Sequence, residues 1–278
     1  MMYRALYENG KELLVQAGIE DAAWDARLLL EHVCHTNRND LLVHGDREVA
    51  DTETDAYLSL IRRRAEHIPL QHLTGVCEFM GLEFAVSENV LTPRQDTEVL
   101  VEEVLRHLHD GFRILDMCTG SGCILLSLLH YSNDCIGVGA DLSKAALAVA
   151  SANAVSLCPD KDVTFVHSDL FSNVEGKFEI IVSNPPYIQS SVIDGLMEEV
   201  RDHEPHMALD GGTDGLDFYK RIITDSRQYL CGGGMLFFEI GYDQREAVCA
   251  LMEEAGFAAV TALKDFAGND RVVYGTMM

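Results

Sequence analysis

The sequence predicts a doubly wound, mainly parallel α/β sheet with a small helical bundle ahead of it. Three observations predict this. From residue 92 onward, short apolar runs of strand length alternate with helical stretches, as parallel strands joined by crossover helices require. Residues 1–75 carry helical spacing and no β-rich segment. Between them, residues 76–91 switch to mostly even apolar spacing around a glycine, the pattern of a short β-hairpin. The expected organisation is therefore a helical domain over 1–75, a hairpin linker over 76–91 and a sheet domain over 92–278, and 278 residues suffice for two domains.

The elements follow in order. Leu13, Leu14, Ala17 and Gly18 suggest one apolar face, and residues 22–33 repeat at helical spacing. Asp55 to His67 forms another helix, with Leu58, Leu60 and Ile61 turned inward. Phe79, Leu82, Phe84 and Val86 flank Gly81 in the hairpin. A helix starts after Pro93 and runs through Val99, Leu100, Val104 and Leu105. Strands are expected at 112–117, 135–140, 163–167, 179–183, 235–240, 257–262 and 271–276, with helices at 124–129 and 144–155. The short connection between the last two strands makes them antiparallel neighbours.

Composition limits the function classes. The 45 acidic and 21 basic residues give a net charge of −24, so most of the surface repels phosphate backbones and direct nucleic-acid binding is not expected. Arg62-Arg63-Arg64 is the one basic run, read as a solvated helix face. The eight cysteines form no C-x-x-C pair and no zinc spacing with histidine, so no metal site is expected. With no signal peptide at residues 1–10 and no apolar run of membrane-spanning length, a cytoplasmic setting with free thiols and no membrane partner is expected.

The first strand of the sheet domain ends in Asp116-Met117-Cys118-Thr119-Gly120-Ser121-Gly122 and a helix follows. Ligands of doubly wound sheets sit outside the carboxyl ends of the strands. Gly120 and Gly122 let the backbone pass close to one. The third glycine of the dinucleotide fingerprint is replaced by Leu125, and no phosphate loop is present. The loop therefore suits a nucleoside without a pyrophosphate, such as S-adenosylmethionine. Asp141, at the end of the second strand, is placed to accept from ribose hydroxyls. Asp169, at the end of the third, is placed to accept from an adenine amino group.

Asn184-Pro185-Pro186-Tyr187 directly follows the fourth strand. The prolines fix φ and remove two N–H donors, so the loop offers acceptors only, and Asn184 adds a side-chain carbonyl. That set matches an –NH2 group. An amide or exocyclic amino nitrogen is a weak nucleophile because its lone pair is delocalised. Accepting both of its hydrogens holds it and favours a pyramidal nitrogen, while Tyr187 walls the planar target. A methyl already activated on a sulfonium then needs in-line placement and fixed dipoles rather than a metal. The same chemistry suits glutamine side chains, adenine N6 and guanine N2. A cofactor-binding module without catalysis is a third reading, disfavoured by the intact loops.

Over nearly its whole length the sequence resembles the peptide chain release factor glutamine methyltransferases (the PrmC/HemK family). The segments that carry the resemblance are residues 24–33, 62–102, the loop 116–124, Asp141, 168–171, Asn184–Tyr187, 203–216, 238–241 and 265–273. The resemblance implies a Rossmann-like, seven-stranded methyltransferase sheet. It implies that Asp116, Cys118, Thr119, Gly120, Ser121, Gly122, Asp141, Asp169, Leu170 and Asn184 bind S-adenosylmethionine. It implies that Asn184, Pro185, Pro186 and Tyr187 hold the amide of the glutamine in the Gly-Gly-Gln motif of class 1 release factors, with the helical bundle docking that partner. The chain departs from the family with Cys118 where glycine is frequent, Gln95-Asp96 where Pro-Glu is usual, Leu170 where some members have an aromatic residue and His203 where Phe is common.

Overall fold

A computed structural model describes residues 1–278. Contacts divide the chain into two compact units, one of residues 1–76 with 197–203, the other of residues 77–196 with 204–278.

The first unit is helical: α1 (Tyr3–Gln16), α2 (Ala22–Cys34), α3 (Arg38–Val43), α4 (Asp51–Ala65) and α5 (Leu70–Thr74). Its core joins Tyr3, Leu6, Leu14, Leu29, Leu30, Tyr57 and Ile61, all essentially without solvent exposure. Gly10 sits inside α1 because a Cβ there would lie 1.9 Å from the Tyr57 hydroxyl. That hydroxyl donates to the Ala26 carbonyl at 3.2 Å, so one tyrosine ties α4 to α2. Three sequence expectations are corrected. Leu13 is exposed and α1 ends at Gln16, so Gly18 closes a turn rather than extending the face. Leu58 and Leu60 are only partly buried, and Tyr57 takes the inward place beside Ile61. Arg62 and Arg63 are exposed, but Arg64 is buried and pairs with Asp25 at 2.7 Å and with Glu199. A buried arginine is tolerable only with such partners.

The second unit opens with the hairpin β1 (Val76–Phe79) and β2 (Leu82–Ala85). Met80 and Gly81 both take positive φ, 52° and 71°, as a type I′ turn requires. Phe79 and Phe84 meet edge to face at 6.1 Å. The sheet strands are β3 (Arg113–Met117), β4 (Ile136–Asp141), β5 (Asp162–His167), β6 (Phe178–Ser183), β7 (Leu230–Glu239), β8 (Phe257–Lys264) and β9 (Asp270–Met277). Their order is β5-β4-β3-β6-β7-β9-β8, with β9 antiparallel to both neighbours and every other pairing parallel. Both faces are covered, so strand residues alternate between two cores. Leu115, Phe178, Ile181 and Phe238 join one, and Ile114, Ile180, Val182 and Phe237 the other. The helices of this unit are α6 (Gln95–His107), α7 (Cys123–His130), α8 (Lys144–Leu157), α10 (Asp217–Ser226) and α11 (Arg245–Glu254), while α9 (Glu198–His203) belongs to the first unit.

Chain order reverses at β3, with β4 on one side and β6 on the other. Loops leaving neighbouring strand ends there diverge and open a crevice. The candidate site occupies it.

Candidate active site

The loop after β3 is shaped by backbone that side chains rarely adopt. Cys118, Gly120 and Gly122 have φ of 63°, 55° and 79°. Thr119 anchors the loop at both ends: its N–H donates to the Ala140 carbonyl at 3.1 Å, and its hydroxyl donates to the Asp116 carboxylate at 2.6 Å. Gly120 N–H donates to Asp141 Oδ2 at 2.9 Å. A Cβ built on Gly120 would meet no atom of the protein, whereas one on Gly122 would press on Leu126 and Ala150 at 3.1 and 3.3 Å. Gly120 thus opens space for a ligand, and Gly122 lets α7 pack against α8. Asn153, buried on α8, donates to the Ser121 carbonyl at 2.9 Å and brackets the Ala85 peptide from both sides.

Asp141 ends β4. Its second oxygen accepts from Ser143 N–H at 2.8 Å. Burial pushes its pKa up, while the N–H groups of Ser143, Gly120 and Leu142 act in the opposite direction. Asp169 is exposed, and Arg221 of α10 donates to its Oδ1 at 2.7 Å. Leu170 follows at φ 48° and is buried. Asp116 lies beneath the loop with no exposure. Burial raises its pKa to about 7, and its Oδ1 has no partner.

The loop 184–187 leaves β6 beside this crevice. Ser183 donates to the Met117 carbonyl at 2.6 Å, joining the two strand ends. Pro185 and Pro186 are buried, whereas Asn184 lies partly open with its carboxamide unbonded within the protein. A second loop locks this one from behind. Ile188 N–H donates to the Leu209 carbonyl at 2.9 Å, and Gly211 N–H to the Ile188 carbonyl at 2.8 Å. A Cβ on Gly211 would lie 2.6 Å from Tyr187 Cα, and one on Gly215 would lie 2.4 Å from the Tyr187 carbonyl oxygen. Gln244 donates to that carbonyl at 3.0 Å. The Tyr187 hydroxyl donates to Glu239 at 3.3 Å, and burial raises its pKa so that it stays protonated.

Together these elements line a cavity of 330 Å³, within the range of small-molecule sites. Of the residues expected from sequence, Cys118, Thr119, Gly120, Ser121, Asp141, Asp169, Leu170, Asn184 and Pro186 line it. Asp116, Gly122, Pro185 and Tyr187 do not: they stand behind the wall and support it. The remaining wall comes from residues 89–94, Thr97 and a strap including Pro205–Ala208 and Asp210. Glu204 anchors that strap, its buried carboxylate accepting from Arg94 at 2.8 Å and from Thr92 N–H at 3.3 Å. Sequence reasoning missed the strap, Asn153, Arg221 and Gln244. A partial signal existed for the strap in the resemblance over residues 203–216. Burial raises the thiol pKa of both Cys118 and Cys123, the latter to about 12, so neither is a thiolate nucleophile at neutral pH.

The cavity fits S-adenosylmethionine in kind. A bare glycine faces the open space, a carboxylate stands at the neighbouring strand end, and the walls are largely apolar. Known proteins agree in class. Residues 5–75 match the family model described as "PrmC N-terminal domain", and residues 93–203 match "Methyltransferase small domain". The release factor glutamine methyltransferase of Agrobacterium fabrum is 40% identical over 95% of this chain and 93% of its own length. That of Clostridium acetobutylicum is 41% identical over 98% and 94%. A methyltransferase structure from Pyrococcus furiosus superposes with a TM-score of 0.56 at 16% identity, covering 77% of this chain and 98% of its own, and so shares the fold.

Proposed function

The chain belongs to the release factor glutamine methyltransferase family, and on that premise we propose how its residues perform the reaction. It is an S-adenosylmethionine-dependent protein-(glutamine-N5) methyltransferase, and its substrate is the glutamine of the Gly-Gly-Gln motif in class 1 release factors. Residues 92–278 carry the chemistry, residues 76–91 join the domains and residues 1–75 dock the release factor in the cytoplasm. No helix is long and apolar enough to cross a membrane.

The single observation that carries the site assignment is the Asn184 carboxamide, unbonded within the protein and facing the same cavity as Gly120 and Asp141. Cys118 to Ser121 cradle the methionine and ribose portions, Asp141 takes the ribose hydroxyls, and Asp169 with Leu170 borders the adenine. When bound, the cofactor supplies a methyl group activated on a sulfonium. The Asn184 side-chain carbonyl and the loop's backbone carbonyls accept the two N–H hydrogens of the target amide. This orients its nitrogen lone pair at the methyl. The acceptors are fixed by two prolines and locked from behind, so little reorganisation accompanies the transfer. As the nitrogen gains the methyl it becomes strongly acidic, and its proton needs no base stronger than water.

The test is transfer from methyl-labelled S-adenosylmethionine to a recombinant release factor, with the label located by peptide mass spectrometry. One methyl on the Gly-Gly-Gln glutamine is expected, with at least a hundredfold loss in Asn184→Ala, roughly the scale of losing a transition-state acceptor. Label on nucleic acid and none on the release factor would overturn the substrate reading.

A further inference from the structure

Glu239 ends β7, and the pairing of Ser183 with Phe238 brings it level with Asn184 on the neighbouring strand. It is 2% exposed. A buried carboxylate is costly unless its neighbours compensate, so its retention calls for a reason. One oxygen accepts from the Tyr187 hydroxyl at 3.3 Å, while the other, Oε2, has no hydrogen-bond partner. The groups facing it come from four places: Thr97 of α6 favours its charged form, where Asp96 opposes it, Arg271 offsets that charge from β9, and Tyr187 approaches from the reactive loop. From α10, the Tyr219 hydroxyl donates to the Glu239 backbone carbonyl at 2.9 Å. Arg271 is itself spent on Asp265 and Asp96, at 3.1 and 3.3 Å. It therefore acts on Glu239 as a nearby charge.

Among the side chains of the reactive loop, Tyr187 is the one hydrogen-bonded to Glu239. Tyr187 is held at its carbonyl by Gln244 and at its Cα by Gly211. Those contacts fix the backbone, the ring packs against the neighbouring core, and the hydroxyl bond to Glu239 fixes the ring's far end. We propose that Glu239 is a positioning residue for methyl transfer, acting through the Tyr187 hydroxyl to fix the ring that stands behind the cavity wall and supports the loop holding the target amide. This rests on the reading that the loop 184–187 holds the amide. Thr97, which lines the cavity, favours the charged form of the same carboxylate.

The experiment is a double-mutant cycle read in kcat and KM on a recombinant release factor, with Glu239→Gln, Tyr187→Phe, both together, and Tyr187→Ala. Glu239→Gln keeps the volume and an acceptor but weakens the charge-assisted bond. We expect each single change to lower kcat roughly tenfold, with cofactor Kd and release-factor KM nearly unchanged, and the double variant to be no slower than either. Multiplicative losses would overturn the proposal, since Glu239 would then act other than through the hydroxyl. So would wild-type kcat in Glu239→Gln. Wild-type kcat in Tyr187→Ala would instead overturn the reading of the loop itself. Thermal melts of all four variants separate misfolding from the kinetic effect.

Discussion

Two backbone N–H groups already donate to Asp141, one on each oxygen. A carboxylate has about four acceptor positions, so the same group braces the glycine loop and still has capacity for two ribose hydroxyls. Asp141→Asn turns one oxygen into a donor that must face Gly120 N–H or Ser143 N–H. Losing such an acceptor costs about 1–3 kcal/mol, so the Kd for S-adenosylmethionine, measured calorimetrically, should rise about tenfold to a hundredfold. An unchanged Kd would remove Asp141 from the site. Asp141 was legible in the sequence because strand ends in a doubly wound fold gather at one edge, and an acid there needs no tertiary information. Asn184 was legible for the same reason. Arg221 and Gln244 were not. Each lies in an unremarkable polar stretch, and its role exists only because packing brings it to Asp169 or Tyr187 from more than 50 residues away. Asp169, read from sequence as an acceptor for adenine, already accepts from Arg221 at one oxygen.

Elements position these residues, and the least regular element carries the most consequence. The segment 188–216 contains no strand and only short helices, yet it locks the reactive loop. Gly211 has ordinary φ, so its glycine is required by contact alone. The atoms that a Cβ would meet are Tyr187 Cα and the Pro186 carbonyl oxygen at 2.6 and 2.8 Å. Backbone cannot swing aside as a side chain can. Gly211→Ala should therefore shift the loop and lower kcat at least tenfold, while the S-adenosylmethionine Kd stays within about twofold, because misplacement by even 1 Å carries such losses. Equal loss of cofactor affinity would show that the change spreads beyond the loop. Strands were legible because continuous apolar runs bounded by turns have few other structures. The start of β7 was not: the strand begins at Leu230 rather than near 235, running through Gly232–Gly234 with a register shift against β6. Three glycines carry no apolar run to mark a strand, and only the neighbouring strand makes them part of the sheet. Helix α10 was equally hidden, since its buried Tyr219, Ile222, Ile223 and Ser226 alternate with charged residues over barely three turns.

For the whole molecule, the decisive quantity is negative charge, outside and inside. The net charge of −24 makes the folded state repel itself. The buried carboxylates Asp25, Asp116, Glu204 and Glu239 and the half-buried Asp141 have raised pKa values, with burial the largest cause in each, whereas the burial of Glu103 and Asp265 is outweighed by hydrogen-bonded partners that hold them below the usual range. The division of the chain hides part of this, because Glu199 reaches Arg64 and Asp25 from a segment distant in sequence. The linkage has a definite sign. A carboxyl with a higher pKa when folded binds protons more readily in the folded state. Stability therefore rises as pH falls through the folded pKa and levels off below the unfolded one. For Asp116 the two values are about 7 and 3.8, so the window runs from about pH 8 down to about 4. Between pH 8 and pH 6 this residue alone should add about 1 kcal/mol, or about 2 °C in Tm for a chain of this size. Surface repulsion falls in the same direction, but added salt screens surface charge and not a buried carboxyl. Melting curves of the cofactor-free protein at pH 8 and pH 6, in 0.5 M salt, should show the rise in the wild type and a smaller one in Asp116→Asn. An equal rise in both would mean that Asp116 does not titrate in this window, and that the acidic surface accounts for the whole dependence.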